Sequence, residues 1–322
     1  MANHFRTNPF LKVNNDTGFG TNAKDYGGRF INRDGSFNLK KEGLPYWTRF
    51  SIYHNMLNLP RWKFLGVIVL FYFSINLLYT LIYWIIGPDQ FQGMIATAPV
   101  DKFKELFFFS TETFTTVGYG RVNPVGDAAN LVAAIESMNG FLSFALATGL
   151  IYGRFSRPQA YLAFSEHAFV SPYQGKTGLM FRFVPYKDNH TLTNVEIKVN
   201  AGLTVQENDN SVFKFYELDL ERNHVDSLAM NWTVVHPIDE KSPLSGLTFD
   251  DMKAIDLEIY VLVRAFDDAY SNNVLQRTSY TYEEIFFRRK FVQMYRESEN
   301  GKTTILELHK LNKFIELTDP KE

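Results

Sequence analysis

Thr116-Val117-Gly118-Tyr119-Gly120 sets two glycines at alternate positions behind a threonine. A dehydrated cation needs a cage of oxygens, and backbone carbonyls supply one if successive C=O groups point toward a common axis. That arrangement requires backbone angles that alternate between the right- and left-handed regions. Gly118 and Gly120 enter the left-handed region without a Cβ clash. The carbonyls of Thr116, Val117, Gly118 and Tyr119, with the Thr116 hydroxyl, would then form stacked rings of ligands. One chain provides one side of each ring, so the pattern calls for a symmetric tetramer.

Working outward, the flanks supply a membrane. Phe64 to Ile86 is an uncharged run, long enough at ~1.5 Å per residue to cross a hydrocarbon core of ~30 Å. Lys63 stands at one end, with Tyr83 and Trp84 near the other as interface anchors. A second span runs from about Ala128 to Phe155 and carries Glu136, Ser137, Asn139 and Ser143. Polar groups inside a span face protein or water and read as functional. Between the spans, Phe103 to Phe114 has the length of a short re-entrant helix that leads into the pentapeptide. Non-helical backbone at membrane depth is tolerated where protein or a water pathway surrounds it. Span, re-entrant helix, filter and span make one pore module.

Composition agrees without revealing this. The chain has 322 residues, a net charge of −2 and 16% aromatic residues, with a mean hydropathy of −0.18. Those averages look soluble because the membrane part is less than half of the chain. The absence of cysteine excludes a disulfide framework and thiolate metal sites. Near-neutral charge gives no ground for nucleic-acid binding. The first apolar span begins too far into the chain for a cleavable signal peptide. Lys40, Lys41, Arg49, Arg61 and Lys63 precede the first span and Arg154 and Arg157 follow the second, whereas the intervening loop holds Lys102, Lys104 and Arg121. The positive-inside rule therefore puts both termini in the cytoplasm.

After Pro158 the pattern changes. GLMFRFVPY, NVEIKVNAGL, DLEIYVLVRAF and VLQRTSYTY mix β-branched, aromatic and alternating polar residues between Gly, Asn, Asp and Pro. This predicts a β-sandwich. Helix is expected only near the end, at Tyr282 to Phe287 and along TILELHKLNKF. The first 43 residues are rich in Asn, Gly and Lys and lack a core of their own. Within them, Ser36 to Lys40 is read as an added edge strand.

Nearly the whole chain resembles the inward-rectifier potassium channels of the prokaryotic KirBac type. TVGYG is the signature of a potassium selectivity filter. GRFINRDGSFNL, ATGLIYGRFSRP, AYLAFSEHAFV, GLMFRFV, VVHPIDEKSPLSGL and RTSYTYEEI look like that family's other conserved-order segments. The resemblance implies a two-span membrane α module followed by a cytoplasmic immunoglobulin-like β domain. Residues 1–43 would be an N-terminal cytoplasmic segment, 44–58 an amphipathic slide helix and 59–87 the outer helix. Residues 88–127 would hold pore helix and filter, 128–158 the inner helix and 159–322 the cytoplasmic sandwich and tail. Tyr46, Phe50, Tyr53 and Leu57 recur at helical spacing, as a slide helix requires.

The family's functional positions carry over as follows. Gly140, Phe144, Thr148 and Tyr152 recur every four residues, which puts them on one helix face. If that face lines the pore, Tyr152 matches the bundle-crossing gate, the alternative being an interface-belt tyrosine. Gly140 and Gly149 either bend the inner helix or permit close packing. Arg264-Ala265-Phe266-Asp267 matches the cytoplasmic loop at the pore mouth, with Ala265 where the family carries Gly; the plain alternative is a hairpin loop. Phe144 and Arg264 stand where strong rectifiers carry acids, so weak polyamine block is expected. Glu112 matches the residue that braces the filter, with Arg121 as its nearest partner, offset by one position. Glu136 is read as further bracing. Arg61, Lys63, Arg154 and Arg157 are expected to meet anionic lipid headgroups or else simply to set topology. The expected assembly is a homotetramer in the plasma (inner) membrane. Potassium is its permeant ion, Ba2+, Mg2+ and polyamines are its blockers, and no cofactor is involved.

Other signals are discounted. Gly18 to Ala23 fits a dinucleotide pattern but no strand precedes it. The seven histidines lack ligand spacing; His236 reads as a hydrogen-bonded sandwich residue and His54 as interfacial surface. Asn231-Trp232-Thr233 would face the cytoplasm and stay unglycosylated. No nucleophile–base constellation marks an enzyme, and no regularly spaced arginines mark a voltage sensor. The competing readings are a non-selective cation channel of the same fold and a non-conducting membrane-anchored sensor.

Overall fold

A computed structural model describes residues 13–14, 28–207 and 210–317; the Gly18–Ala23 pattern lies outside them. The described residues form two compact units, Glu42–Arg157, and Pro158–Glu322 together with the described part of Met1–Lys41.

In the first unit two helices are long and apolar enough to cross a membrane. Helix α3 (Arg61–Ile86) starts behind Pro60 and stops where Gly87 turns to φ +114°. Before it, α1 (Tyr46–Arg49) and α2 (Ile52–Asn58) replace the single slide helix expected over 44–58. Phe50 is extended, and the Ser51 hydroxyl accepts from the His54 amide, so the chain restarts a helix at a new cap. Leu57 is the one buried residue of α2.

Helix α4 (Pro99–Phe114) begins a turn before the expected Phe103, because Pro99 at its first position suits a helix start. Helix α5 (Asp127–Phe155) is the second span. Short strands β1 (Phe91–Gln92) and β2 (Asn123–Pro124) pair antiparallel at the end of the unit where α3 ends and α5 begins. Tyr79 and Tyr83 of α3, Leu106 and Phe109 of α4, Ala129 of α5 and Phe91 fill the space between the helices. The Tyr83, Phe91 and Phe109 rings meet edge to face with centroids 5.2–5.3 Å apart.

The second unit is the expected immunoglobulin-like sandwich. Its strands, in chain order, are β3 (Leu162–Phe164), β4 (Ala168–Tyr173), β5 (Lys176–Pro185), β6 (Leu192–Glu207), β7 (Asn210–Glu217), β8 (His224–Leu228) and β9 (Trp232–Ile238). Helix α6 (Phe249–Ala254) follows, then β10 (Glu258–Asp267), β11 (Asn272–Thr281), β12 (Ile285–Phe287), β13 (Arg289–Phe291), β14 (Tyr295–Glu297), β15 (Thr304–Leu306) and β16 (Phe314–Glu316). One sheet runs β11-β10-β6-β7 with β8 also on β6; the other runs β12-β4-β5-β3 with β9 also on β5. Alternate residues of β5 (Leu179, Phe181, Phe183), β6 (Ile197, Val199, Ala201) and β10 (Ile259, Val261, Val263) share one buried core. His236 lies inside it: its Nδ1–H donates to the Asp219 carbonyl at 2.6 Å and its Nε2 accepts from the Ser242 hydroxyl at 2.7 Å.

The helices expected near the end are absent. Tyr282–Glu284 is a single 3-10 turn and Ile285–Phe287 pairs parallel with β4. TILELHKLNKF becomes β15, a 3-10 turn at Leu308–Lys310 and the start of β16. Buried Arg182 on β5 accounts for the second of these. Its guanidinium donates to the carbonyls of Val292 (2.6 Å), Lys310, Leu311 (2.8 Å) and Lys313 (3.2 Å). An α-helix would have consumed such carbonyls internally. The helix the sequence reading missed, α6, opens with a capping box between Thr248 and Asp251.

The described part of the N-terminal segment packs on the sandwich. Phe30 and Ile31 bury against Phe213, Phe215 and Tyr260. Glu258, whose carboxyl is pushed up by burial, accepts from the Phe30 amide at 3.2 Å. Arg29 and Arg33 both pair with Glu284 at 2.8 Å. Ser36 to Lys40 is not a strand of the sandwich: Phe37 makes an isolated bridge with Ile31 of its own segment, and the Arg277 guanidinium lies 4.8 Å above its ring.

Candidate functional site: a cation filter and its supports

The chain leaves α4 at Phe114 and turns back through the pentapeptide. Thr116, Gly118 and Gly120 have φ of +60°, +55° and +79°, whereas Val117 and Tyr119 do not enter that region. The alternation expected of a carbonyl-lined cage is therefore present. A left-handed threonine is costly for a β-branched residue and belongs to a site whose surroundings enforce it. The enforcing bonds come from the end of α4. Thr116 N donates to the Thr113 carbonyl at 3.0 Å, and Val117 N and Gly118 N both donate to the Glu112 carbonyl, at 2.9 and 3.3 Å. None of the carbonyls of Thr116 to Tyr119 accepts a hydrogen bond from another described residue. The amides of Thr116, Val117 and Gly118 are spent on the helix, and the carbonyls are left without a protein donor among the described residues.

The supports differ from the expected pairing. Arg121 does not reach Glu112. Its Nη1 donates to Glu105 Oε1 at 2.7 Å. The reason is direction: the filter runs back antiparallel to α4, so a residue beyond the filter meets the first half of the helix, and Glu105 stands two turns before Glu112. The Glu112 carboxylate makes no hydrogen bond or ion pair among the described residues; the braces it supplies are those to its main-chain carbonyl. Glu105 also accepts from Ile95 N at 3.1 Å and Ala96 N at 3.3 Å. Asn123 Nδ2 donates to the Gly120 carbonyl at 2.8 Å. Glu136 of α5 is fully buried and accepts from Tyr83 of α3 and from the Ser110 hydroxyl of α4, the latter at 2.5 Å. One carboxyl thus ties outer, pore and inner helices together.

Along α5 the four-residue series divides. Phe144, Thr148 and Tyr152 are exposed, and Phe144 lines a groove of about 390 Å³ with Thr116, Phe114 and Tyr72 at the foot of the filter. Gly140 also lines that groove, but as the packed member of the series. It is buried, and a Cβ there would stand 1.9 Å from the Phe114 carbonyl oxygen. It is the close-packing glycine that lets α5 touch the start of the filter. Gly149 has open space around its Cβ direction. Gly153 packs on Tyr53 and Leu57 of α2, with the Tyr53 hydroxyl 2.8 Å from the Cβ position.

Of the basic residues, Arg61 and Lys63 are exposed. Arg154 lies 4.9 Å above the Phe64 ring, and Arg157 donates to Asn58 Oδ1 at 2.8 Å. Arg264 to Asp267 is not a loop but the last part of β10, with a β-bulge against β6 between Arg264 and Phe266. Ala265 points into the sandwich core, while Arg264 is exposed and directly opposite Glu196. Asp267 is fully buried; it accepts from Ala269 N at 2.9 Å and faces His190 Nε2 at 3.1 Å.

The inward rectifier potassium channel C-terminal domain model matches residues 162–322, and an ion channel model matches residues 67–157. The inward rectifier potassium channel Kirbac3.1 of Paramagnetospirillum magnetotacticum is 32% identical over 294 residues, which cover 90% of this chain and 95% of that protein. This chain belongs to the inward-rectifier potassium channel family. Among its more distant relatives, the human ATP-sensitive inward rectifier potassium channel 12 is 28% identical and the human inward rectifier potassium channel 4 is 30% identical. Those alignments cover 74% and 70% of this chain but 60% and 54% of the human proteins, so the chain spans little more than half the length of the vertebrate rectifiers.

Within this inward-rectifier chain the sequence reading named the pentapeptide and Glu136 but not Glu105, Ser110 or Asn123, and Tyr83, expected as an interface anchor, is instead fully buried because its hydroxyl bonds Glu136 between the helices. Helical spacing offered one signal, since Glu105 and Glu112 lie seven residues apart on one face of α4. The others are chosen by how three helices meet.

Proposed function

We propose that four copies of this inward-rectifier chain surround a common axis and pass potassium through the Thr116–Tyr119 carbonyls, with both termini in the cytoplasm. The observation that carries this is the alternation of left-handed backbone at Thr116, Gly118 and Gly120 with the amides tied to the Glu112 and Thr113 carbonyls. Rings of such carbonyls replace the hydration shell of an ion. Glu136 and the Glu112 main chain hold the filter. The exposed positions Phe144, Thr148 and Tyr152 line the inner pathway, and four Tyr152 rings close it by excluding water. Arg264, the exposed residue of the bulged end of β10, stands at the second, cytoplasmic constriction, with Ala265 to Asp267 as its rigid support. Arg61 and Lys63, with Arg154 and Arg157, meet anionic headgroups in the plasma (inner) membrane and tune the channel.

The test is flux of radioactive rubidium into liposomes that hold the purified protein, with Ba2+ as blocker, in neutral and anionic lipid. Rubidium uptake that Ba2+ abolishes, with a reversal potential that follows the potassium gradient and ignores sodium, is expected. Equal permeation of sodium, or an assembly without fourfold symmetry, overturns the reading. Neutralising Lys63 and Arg157 together removes the lipid response; an unchanged response assigns those charges to topology alone.

A further inference from the structure

Arg121 directly follows the filter, so in the tetramer proposed above four guanidinium groups would stand around the ion's outer doorway. Four positive charges there oppose cation entry. The geometry points to a device that cancels them: we propose that Glu105 is the positioning residue of the outer mouth, holding Arg121 sideways against α4 and neutralising it.

Three observations carry this. First, the Glu105–Arg121 contact is a charge-assisted hydrogen bond of 2.7 Å in which the carboxylate is the sheltered partner, its side chain 13% exposed against 48% for Arg121. Second, Glu105 is itself fixed. Its oxygens accept from the Ile95 and Ala96 amides, so the acid is anchored to the segment between β1 and α4 before it meets the arginine. Third, the backbone at Arg121 is clamped from the other side. Gly93 has φ +85°, and a Cβ there would lie 1.8 Å from the Arg121 carbonyl oxygen; β1 and β2 pair just beyond it. With the Arg121 main chain fixed, the only freedom left to its charge is the side chain, and Glu105 sets that. Of the two lysines on α4, Lys104 is engaged by Asp101 at 3.1 Å, and among the described residues neither it nor Lys102 pairs with Glu105.

This rests on the conduction reading, and the experiment separates the two. Wild type, Glu105→Gln, Arg121→Gln and the double variant are reconstituted as full-length tetramers, checked by size exclusion, and assayed for rubidium uptake and for block by external Ba2+. With four unit charges placed about one Debye length from the axis, Glu105→Gln is expected to weaken external Ba2+ block roughly tenfold and to slow rubidium entry roughly threefold in ~0.1 M salt. The double variant, again neutral, is expected to recover both, and high salt should narrow the single-variant defect. Unchanged block in Glu105→Gln overturns the inference while leaving conduction intact. A defect that neither Arg121→Gln nor salt relieves also overturns it, since Glu105 would then be acting through structure alone. Wild-type protein that passes no rubidium overturns the conduction reading and this inference with it.

Discussion

Thr116 and His236 show what single residues carry in the two units. Thr116 holds a left-handed backbone that its β-branched side chain disfavours, and three amide bonds to the end of α4 hold the filter there. His236 is held neutral. Burial pushes its imidazole below the ordinary value of 6.5, and its two nitrogens are used as one donor and one acceptor. The unfolded chain takes up a proton as pH falls through the usual histidine value, whereas the folded one does so only lower. Stability is therefore present above that range and lost as pH falls through it. His236→Gln, which keeps a polar side chain without titrating, is expected to lose less melting temperature between pH 7.5 and 5.5 than wild type, on the order of a few degrees. An identical loss in both proteins would show that His236 does not drive it. His167, also pushed down by burial, leaves part of the acid sensitivity in place.

At the scale of elements, α5 is divided by its glycines. Gly140→Ala would put a methyl into the Phe114 carbonyl, and overpacking of this kind costs roughly 1–3 kcal/mol or more. A reduced tetramer yield and reduced rubidium flux are expected, by size exclusion and uptake. Gly149→Ala meets open space and gains helix propensity of ~1 kcal/mol, so the assembly should form normally. If α5 bends at Gly149 on opening, single-channel recordings will show a lower open probability in that variant; an unaltered one would place the bend elsewhere. Tyr152→Ala tests the closed end of the same helix. It should raise basal flux without changing the reversal potential, and unchanged flux would return Tyr152 to the role of an interface aromatic.

For the whole molecule, charge along the pathway decides rectification. Phe144 carries no charge, and exposed Arg264 faces Glu196 across the strand pair, so if both positions lie on the pathway as proposed, they supply no acidic ring there. A polyamine needs a run of negative potential to be held against the current. Current–voltage curves with spermine on the cytoplasmic side should show shallow block, and steep micromolar block would refute this. The same neutrality argument governs the opposite mouth, where Glu105 offsets Arg121.

The sequence by itself determined the local matters: two spans from uncharged length, a sandwich from period-two strands in β5, β6, β10 and β11, and, through the resemblance of TVGYG to a known signature, a candidate filter. The first two are properties of neighbours in the chain, and short-range backbone and solvation physics is enough to read them. Only the tertiary structure decided which acid Arg121 meets, that Gly140 packs against the Phe114 carbonyl, and that Arg264 to Asp267 is strand. It also showed that buried Arg182 takes the carbonyls a C-terminal helix would have used. Those outcomes depend on which segments are brought side by side and on where buried polar groups find partners, and residues far apart in the chain settle both together.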